Sequence, residues 1–95
     1  MKYQIILAPE AVQDLKSLDA HDRAKVKDLI EGHLRHTPTK VSKSRIKKLR
    51  GLRHPQYRLR IDEIRVFYDI EESTVQILAI IPKSKAAQWL QEAGE

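Results

Sequence analysis

Residues 57–81 contain three strand-like runs, and this pattern most restricts the fold. The runs at residues 57–61 and 64–70 alternate with a period of two, and a third run covers residues 74–81. Two short acidic segments, at residues 62–63 and 71–73, separate the runs. Successive side chains of a strand point to opposite faces, and connections this short join antiparallel neighbours. The pattern therefore predicts two hairpins in series, which form an antiparallel meander.

The turn at Asp62-Glu63 also predicts the register of the first hairpin. A two-residue turn there places four pairs opposite one another: Ile61 with Ile64, Arg60 with Arg65, Leu59 with Val66, and Arg58 with Phe67. One face of the hairpin is then aliphatic, and we expect it to pack on helices. The opposite face carries Arg58, Arg60 and Arg65, and we expect it to be open to solvent. The third run, "TVQILAII", is apolar on both sides, which predicts an interior strand.

The first third of the chain predicts one strand and two helices. Residues 2–8 form an apolar run typical of a strand, and Pro9 suits the first turn of a helix. Asp19 suits the N-cap of a second helix, which we expect to run through His36. Residues 39–47 are expected to form a basic loop, and the chain to end in a short helix or tail. The order β-α-α-β-β-β predicts a single α+β domain over residues 1–95, with two N-terminal helices packed on one face of a small, mainly antiparallel four-stranded sheet.

Charge is distributed unevenly along the chain. The net charge is +5, yet no Asp or Glu occurs between Glu31 and Asp62, an interval that holds ten of the eighteen Lys and Arg residues. A basic face of this kind predicts a polyanionic partner such as nucleic acid, although a solvated charge run is the alternative. The chain has no cysteine, which excludes disulfides and thiolate metal ligands and fits a reducing compartment. No apolar run approaches membrane-spanning length, so we expect a cytoplasmic protein without a membrane partner.

The predicted Arg60–Arg65 pair places two like charges opposite each other. Such pairs destabilise a sheet, and local faults of this kind tend to occur at functional sites. The alternative is that the two side chains splay into water.

The histidines lack a carboxylate or cysteine partner at metal spacing, and the chain has no glycine-rich phosphate loop, so we expect neither a metal nor a cofactor. Trp89 could stack on a base, or it could anchor a C-terminal helix.

The segment "KKLRGLRHPQYRLRIDEIRVFYDI" resembles the core signature of the RelE/ParE superfamily of type II toxin–antitoxin toxins. In that family a KLxG segment leads to a YRxR strand, a tight turn and an IRVxY strand. The opening "YQIILAPEAVQDLKSLD" is similar to the family's first strand and helix. The resemblance implies either a ribosome-dependent mRNA endoribonuclease of RelE type or a DNA gyrase inhibitor of ParE type. A catalytically weak toxin that acts through antitoxin binding and operon autoregulation is the third possibility.

For the nuclease, which we favour, the resemblance implies basic catalytic residues on the sheet and near the C-terminus. Lys83 or Lys85 stands where the family has an arginine, and Ala87 occupies the position of the family's usual tyrosine. This departure implies slower cleavage, a substitute proton donor such as Tyr57 or His54, or an inactive toxin. The implied catalytic residues are Arg58, Arg60, Arg65, Lys83 and Lys85, and the implied RNA-binding residues are Lys47, Lys48, Arg50, Arg53 and His54.

The implied partners are the ribosome with its mRNA and a cognate antitoxin with an acidic, wrapping segment. Operator DNA would be contacted only through the antitoxin. Arginine is a poor general base because it keeps its proton at any ordinary pH, so the sequence favours a lysine for proton transfer.

Overall fold

A computed structural model describes residues 1–95, which form five strands and three helices. The elements in chain order are β1 (Gln4–Leu7), α1 (Pro9–Ser17), α2 (Ala20–Leu34), β2 (Ile46–Lys48), β3 (Tyr57–Ile61), β4 (Ile64–Glu71), β5 (Thr74–Pro82) and α3 (Lys83–Ala93). The predicted α+β class is confirmed. No helix is both long and apolar enough to cross a membrane.

The strands form one mixed sheet in the order β1-β5-β4-β3-β2. β1 runs parallel to β5, and every other pair is antiparallel. β5 lies between β1 and β4, as its apolar sequence predicts. The prediction of four strands was wrong by one, because Ile46–Lys48 pairs with β3 and adds an edge strand that overlaps the end of the expected loop at residues 39–47.

The β3–β4 hairpin has the predicted register. Ile61 pairs with Ile64 and Arg60 pairs with Arg65 across the two-residue turn. Asp62 in this turn and Glu72 in the next one have positive φ angles of 51° and 56°. A non-glycine residue pays a steric cost in this left-handed region, but a two-residue hairpin turn requires it.

α1 and α2 cover one face of the sheet. Asp19 caps α2 by accepting a hydrogen bond from the backbone nitrogen of Asp22 at 2.8 Å, as predicted. α2 ends at Leu34 and not at His36, and the Arg35 guanidinium then donates to the carbonyl of Tyr3 at 3.0 Å. The core lies between these helices and the aliphatic side of the sheet. Its fully buried members include Ala11, Val26, Leu34, Leu59, Val66, Tyr68, Val75 and Ile77.

α3 packs on the other face of the sheet, which we call the arginine face because it carries Arg58, Arg60 and Arg65. The Trp89 indole stacks on the Phe67 ring with 4.9 Å between centroids and 15° between planes. Trp89 therefore anchors a C-terminal helix, as one of the two predictions for it stated. The prediction that the whole face is open to solvent was wrong, since α3 covers part of it and Arg65 is only 6% exposed.

Candidate functional site

Four basic residues are neighbours on the arginine face. Lys47 of β2 pairs with Arg58 of β3, and Arg60 of β3 pairs with Arg65 of β4. Arg58 and Arg60 are two residues apart, so their side chains share this face. Cross-strand partners have Cβ atoms about 4.5–5.5 Å apart, which brings the four side chains into one group. We call Lys47, Arg58, Arg60 and Arg65 the cation cluster.

The cation cluster has no acidic partner. None of its members forms a salt bridge. Arg58 is partly buried, and its Nε atom is buried without a hydrogen-bond partner. Burial lowers the pKa of Arg58, and the charges of Arg65 and Arg60 lower it further. The site therefore holds concentrated positive charge that an incoming anion would stabilise.

Arg65 and Arg60 differ in exposure although they face each other. The Nη1 atom of Arg65 donates to the carbonyl oxygens of Asp62 at 2.7 Å and Ile64 at 3.1 Å. These bonds fix the guanidinium against the β3–β4 turn. Arg60 is exposed, and its side chain makes no hydrogen bond. Arg60 is thus free to contact a ligand, whereas Arg65 supplies charge from a fixed position.

Lys83 and Lys85 lie in the first turn of α3, at the same edge of the sheet as the Arg60–Arg65 pair. The backbone nitrogen of Lys83 donates to the carbonyl of Glu63 at 2.7 Å, and Pro82 pairs with Ile64. Both lysines are exposed. This turn has no acidic residue to neutralise it or the positive end of the helix dipole. The helix start therefore extends the positive region around the cation cluster.

The other predicted RNA-binding residues do not join the cation cluster. Lys48 pairs with Tyr57 and so points to the opposite face of β2. Lys48 and Arg50 line an open groove of about 810 Å³ between β2 and α3, which Lys47 also borders. Arg53 is exposed on the loop that leads into β3. These residues surround the site at its edges, where they can contact only a ligand that extends beyond the sheet.

The two substitute proton donors are placed differently. Tyr57 lies on the core side of the sheet and stacks on Tyr68 with 5.4 Å between ring centroids. It therefore lies on the wrong face to serve the arginines. His54 lies on the arginine face, where its Nδ1 atom is 2.7 Å from the Oδ2 atom of Asp69.

Asp69 is a neighbour of the cation cluster whose contacts the sequence did not reveal. It is 8% exposed, and its Oδ1 atom accepts a hydrogen bond from the backbone nitrogen of Gln56 at 2.7 Å. With the His54 contact, both carboxylate oxygens are occupied. Strand alternation places Asp69 on the arginine face, but nothing in the sequence links it to a loop residue fifteen positions earlier.

One group of possible metal ligands lies at the start of α2, outside the cation cluster. The ligand atoms of Asp19, His21 and Asp22 lie within 4.8 Å of one another, and the residues are largely exposed. Asp19 caps the helix there, and this structural role accounts for the grouping. His33 and His36 form no such group.

Comparison with known proteins places the chain in a family. The model of the ParE toxin of the type II toxin–antitoxin system parDE matches residues 5–87. A search by sequence among curated proteins gave no significant match.

Solved toxin structures share the fold. The RelBE2 toxin–antitoxin complex of Mycobacterium tuberculosis contains a chain with 27% identity and a TM-score of 0.72, over 86% of this chain and 99% of that one. The RelB–RelE complex of Methanococcus jannaschii gives 24% identity and a TM-score of 0.69, over 88% and 96% of the two chains. A mutant of Escherichia coli RelE in the free state gives 20% identity and a TM-score of 0.74, over 98% and 95%. The chain therefore belongs to the ParE toxin family of the RelE/ParE superfamily and is a toxin of a type II toxin–antitoxin system.

Proposed function

We propose that this toxin is an mRNA endoribonuclease of RelE type, which cleaves mRNA on the ribosome and is neutralised by a cognate antitoxin. The observation that carries the proposal is the uncompensated cation cluster, in which Arg58 is desolvated and repelled by its neighbours. Planar guanidinium groups donate two parallel hydrogen bonds to a phosphate, so such a cluster suits the RNA backbone. An enzyme that acts on ribosomes would work in the cytoplasm.

The proposed reaction is transesterification by the RNA itself. The 2′-oxygen loses its proton and bonds to the adjacent phosphorus, and the bond from phosphorus to the 5′-oxygen breaks as that oxygen takes up a proton. The products are a 2′,3′-cyclic phosphate and a 5′-hydroxyl end. Arg58, Arg60 and Arg65 would stabilise the negative charge that builds up on the phosphorane oxygens. Lys83 or Lys85 would transfer protons, because arginine holds its own too tightly.

The antitoxin proposal follows from the same charge. A basic face without acidic partners favours an acidic segment that folds onto it. We expect this segment to cover the cation cluster and block the RNA. Salt screens exposed charges, so the affinity of toxin for antitoxin should fall as ionic strength rises. An affinity that stays constant between low and high salt would mean that the contact is mainly apolar.

Gyrase inhibition is the second candidate, and two observations favour it. The matching family model is that of the ParE toxin. The cation cluster also contains no histidine or carboxylate, and Ala87 offers no proton donor in the first half of α3. A toxin of this type would bind its target protein through the basic surface without cleaving RNA. A catalytically weak toxin would show neither activity and would retain antitoxin binding.

One experiment separates these functions. Purified toxin is added to ribosomes programmed with a defined mRNA, and cleavage is mapped by primer extension; in parallel, gyrase supercoiling of plasmid DNA is measured. If the toxin is an mRNA nuclease, we expect cleaved mRNA and normal supercoiling. Arg60→Gln should abolish cleavage, whereas the matched control Lys27→Gln, an exposed lysine of α2, should not. Intact mRNA together with blocked supercoiling would show that the toxin inhibits gyrase and is not an mRNA nuclease.

A further inference from the structure

A cavity of about 330 Å³ lies beside the cation cluster and is not part of it. Its walls come from the start of α1, from β5, from α3 and from the loop before β3; they are Ala8, Glu10, His54, Leu78, Trp89 and Ala93. The volume is at the lower end of the range of about 300–1,000 Å³ typical of small-ligand sites. The walls combine an aromatic ring and small apolar side chains with two polar groups, which is the usual composition of such a site.

A β-bulge shapes one wall of the cavity. Phe67 pairs with Ala79 and Tyr68 pairs with Ile77, so Leu78 between them has no partner on β4. Bulges redirect a side chain and occur preferentially beside active sites. Leu78 is the extra residue of this bulge, and it also lines the cavity. The local irregularity of the sheet therefore coincides with the cavity.

The cavity has two polar groups, the His54 imidazole and the Glu10 carboxylate. Nδ1 of His54 lies 2.7 Å from the carboxylate of Asp69, so Nε2 is the ring nitrogen that the protein leaves unengaged. The His54 side chain is 41% exposed, so its outer nitrogen remains accessible. Glu10 contributes an exposed carboxylate with no hydrogen bond or salt bridge of its own. A fitting ligand would be flat, to contact the indole, and would present adjacent hydrogen-bond donors.

The cavity is close enough to the cation cluster to serve the same ligand. Arg58 pairs with Phe67 across β3 and β4, and Phe67 stacks on Trp89, which forms a cavity wall. Neighbouring strands are about 4.8 Å apart, so about 10 Å separate β3, which carries Arg58, from β5, which forms part of the cavity wall.

We propose that this cavity binds a guanine base of the RNA strand whose phosphates lie on the cation cluster, an inference that rests on the proposed nuclease function. Single-stranded RNA is recognised by stacking its bases on aromatic side chains and by hydrogen bonds to their edges. The Watson–Crick edge of guanine carries N1–H and N2–H₂ side by side, which match the two oxygens of the Glu10 carboxylate. Adenine, cytosine and uracil each present donors on only one group of that edge, so they bind more weakly.

The test uses nucleosides, which lack the phosphate that the cation cluster would hold. Trp89 is the only tryptophan of the chain, so its fluorescence reports directly on the cavity wall. The full-length protein is titrated with guanosine, adenosine, cytidine and uridine, with free N-acetyltryptophanamide as the correction for light absorption. We expect saturable quenching, with guanosine bound about tenfold more tightly than the other three, at the lower end of what a bidentate contact discriminates.

Two variants and a matched control make the test specific. Glu10→Gln should weaken guanosine binding about tenfold, since an amide cannot accept from both donors. Leu78→Phe should fill the cavity and remove saturable quenching. Asp28→Asn removes the same charge from an exposed position of α2 and should leave the affinity unchanged. Circular dichroism of each variant checks that the fold is retained.

The outcomes separate this proposal from the nuclease proposal. Absence of saturable quenching by guanosine, or equal affinities for all four nucleosides, overturns the guanine site even if mRNA is cleaved. Unchanged guanosine binding in folded Glu10→Gln overturns the role of the carboxylate. Guanosine binding without mRNA cleavage retains the site and rejects the nuclease. If the toxin binds guanosine and also cleaves mRNA, Glu10→Gln should reduce the preference for cleavage beside guanine.

Discussion

Replacing Arg65 by glutamine tests whether this arginine is held by the fold or repelled by its neighbour. Its Nη1 atom donates to the carbonyls of Asp62 and Ile64, and the residue is 6% exposed. Hydrogen bonds that involve a charged group contribute about 1.5–3 kcal/mol, and we count the two as one because they share a nitrogen. Relief of the repulsion from Arg60 offsets a few tenths of a kcal/mol. Arg65→Gln should therefore lower the free energy of unfolding by roughly 1–2.5 kcal/mol.

Arg60→Gln is the matched control, because it relieves the same repulsion without removing a side-chain hydrogen bond. Its stability should be unchanged or a few tenths of a kcal/mol higher. Urea unfolding followed by Trp89 fluorescence, together with thermal melts followed by circular dichroism, measures both variants. For a chain of this size about 1 kcal/mol corresponds to roughly 4–8 °C, so the two melting temperatures should differ clearly.

Two results of the unfolding measurements would contradict the different roles assigned to Arg65 and Arg60. If Arg65→Gln unfolds at the same urea concentration as the wild type, the two carbonyl contacts contribute no net stability and repulsion dominates the pair. If Arg60→Gln is destabilised as much as Arg65→Gln, the exposed side chain has a structural role that its surroundings do not reveal. In either case the division between a fixed arginine and a free one would have to be abandoned.

Four further predictions concern Tyr68 and the first half of α3. The Tyr68 hydroxyl donates to the carbonyl of Pro38 at 2.6 Å in a buried site, so Tyr68→Phe should cost about 1–2 kcal/mol in urea unfolding at neutral pH. Burial, with a smaller effect of Tyr57, raises the pKa of Tyr68, so wild-type stability should fall as pH rises above about 10 while Tyr68→Phe gives a flatter profile; equal slopes would contradict this. Replacing Lys83 and Lys85 together by alanine should abolish mRNA cleavage and leave the circular dichroism unchanged, and undiminished cleavage would remove both from the mechanism. Ala87→Tyr should accelerate single-turnover cleavage roughly ten- to hundredfold if it restores a proton donor, and a rate equal to the wild type would mean that no donor is missing there.

The β3–β4 hairpin could be predicted residue by residue because its determinants are local. A two-residue turn at Asp62-Glu63 fixes the pairing, and alternation then assigns every side chain to a face. β2 could not be predicted in this way, since Ile46–Lys48 has only three residues and a single apolar one. It is a strand because β3 provides a partner and because Ile46 is buried in the core. Both conditions depend on residues outside the segment, and its partners on β3 lie 9 to 13 positions further along the chain.

The accessibility of the arginine face could not be predicted from the sequence for the same reason. Alternation assigns Arg58, Arg60 and Arg65 to one face, but it does not show what covers that face. The cover is α3, whose position depends on the stacking of Trp89 on Phe67, a contact between residues 22 positions apart in the chain. The pairing of Arg60 with Arg65 was therefore predictable, whereas the burial of one and the exposure of the other were not.

The cation cluster remains uncompensated because the only carboxylate on its face is already engaged. Asp69 is two residues from Phe67, which faces Arg58, so in a bare sheet it would be the nearest anion to that guanidinium. Its two oxygens instead accept from the backbone of Gln56 and contact His54, at 2.7 Å each. These bonds hold the loop before β3 against β4, and they fix the His54 ring through its Nδ1 atom. A single buried carboxylate thus stabilises the loop and orients the imidazole, while the arginines are left without an acidic partner.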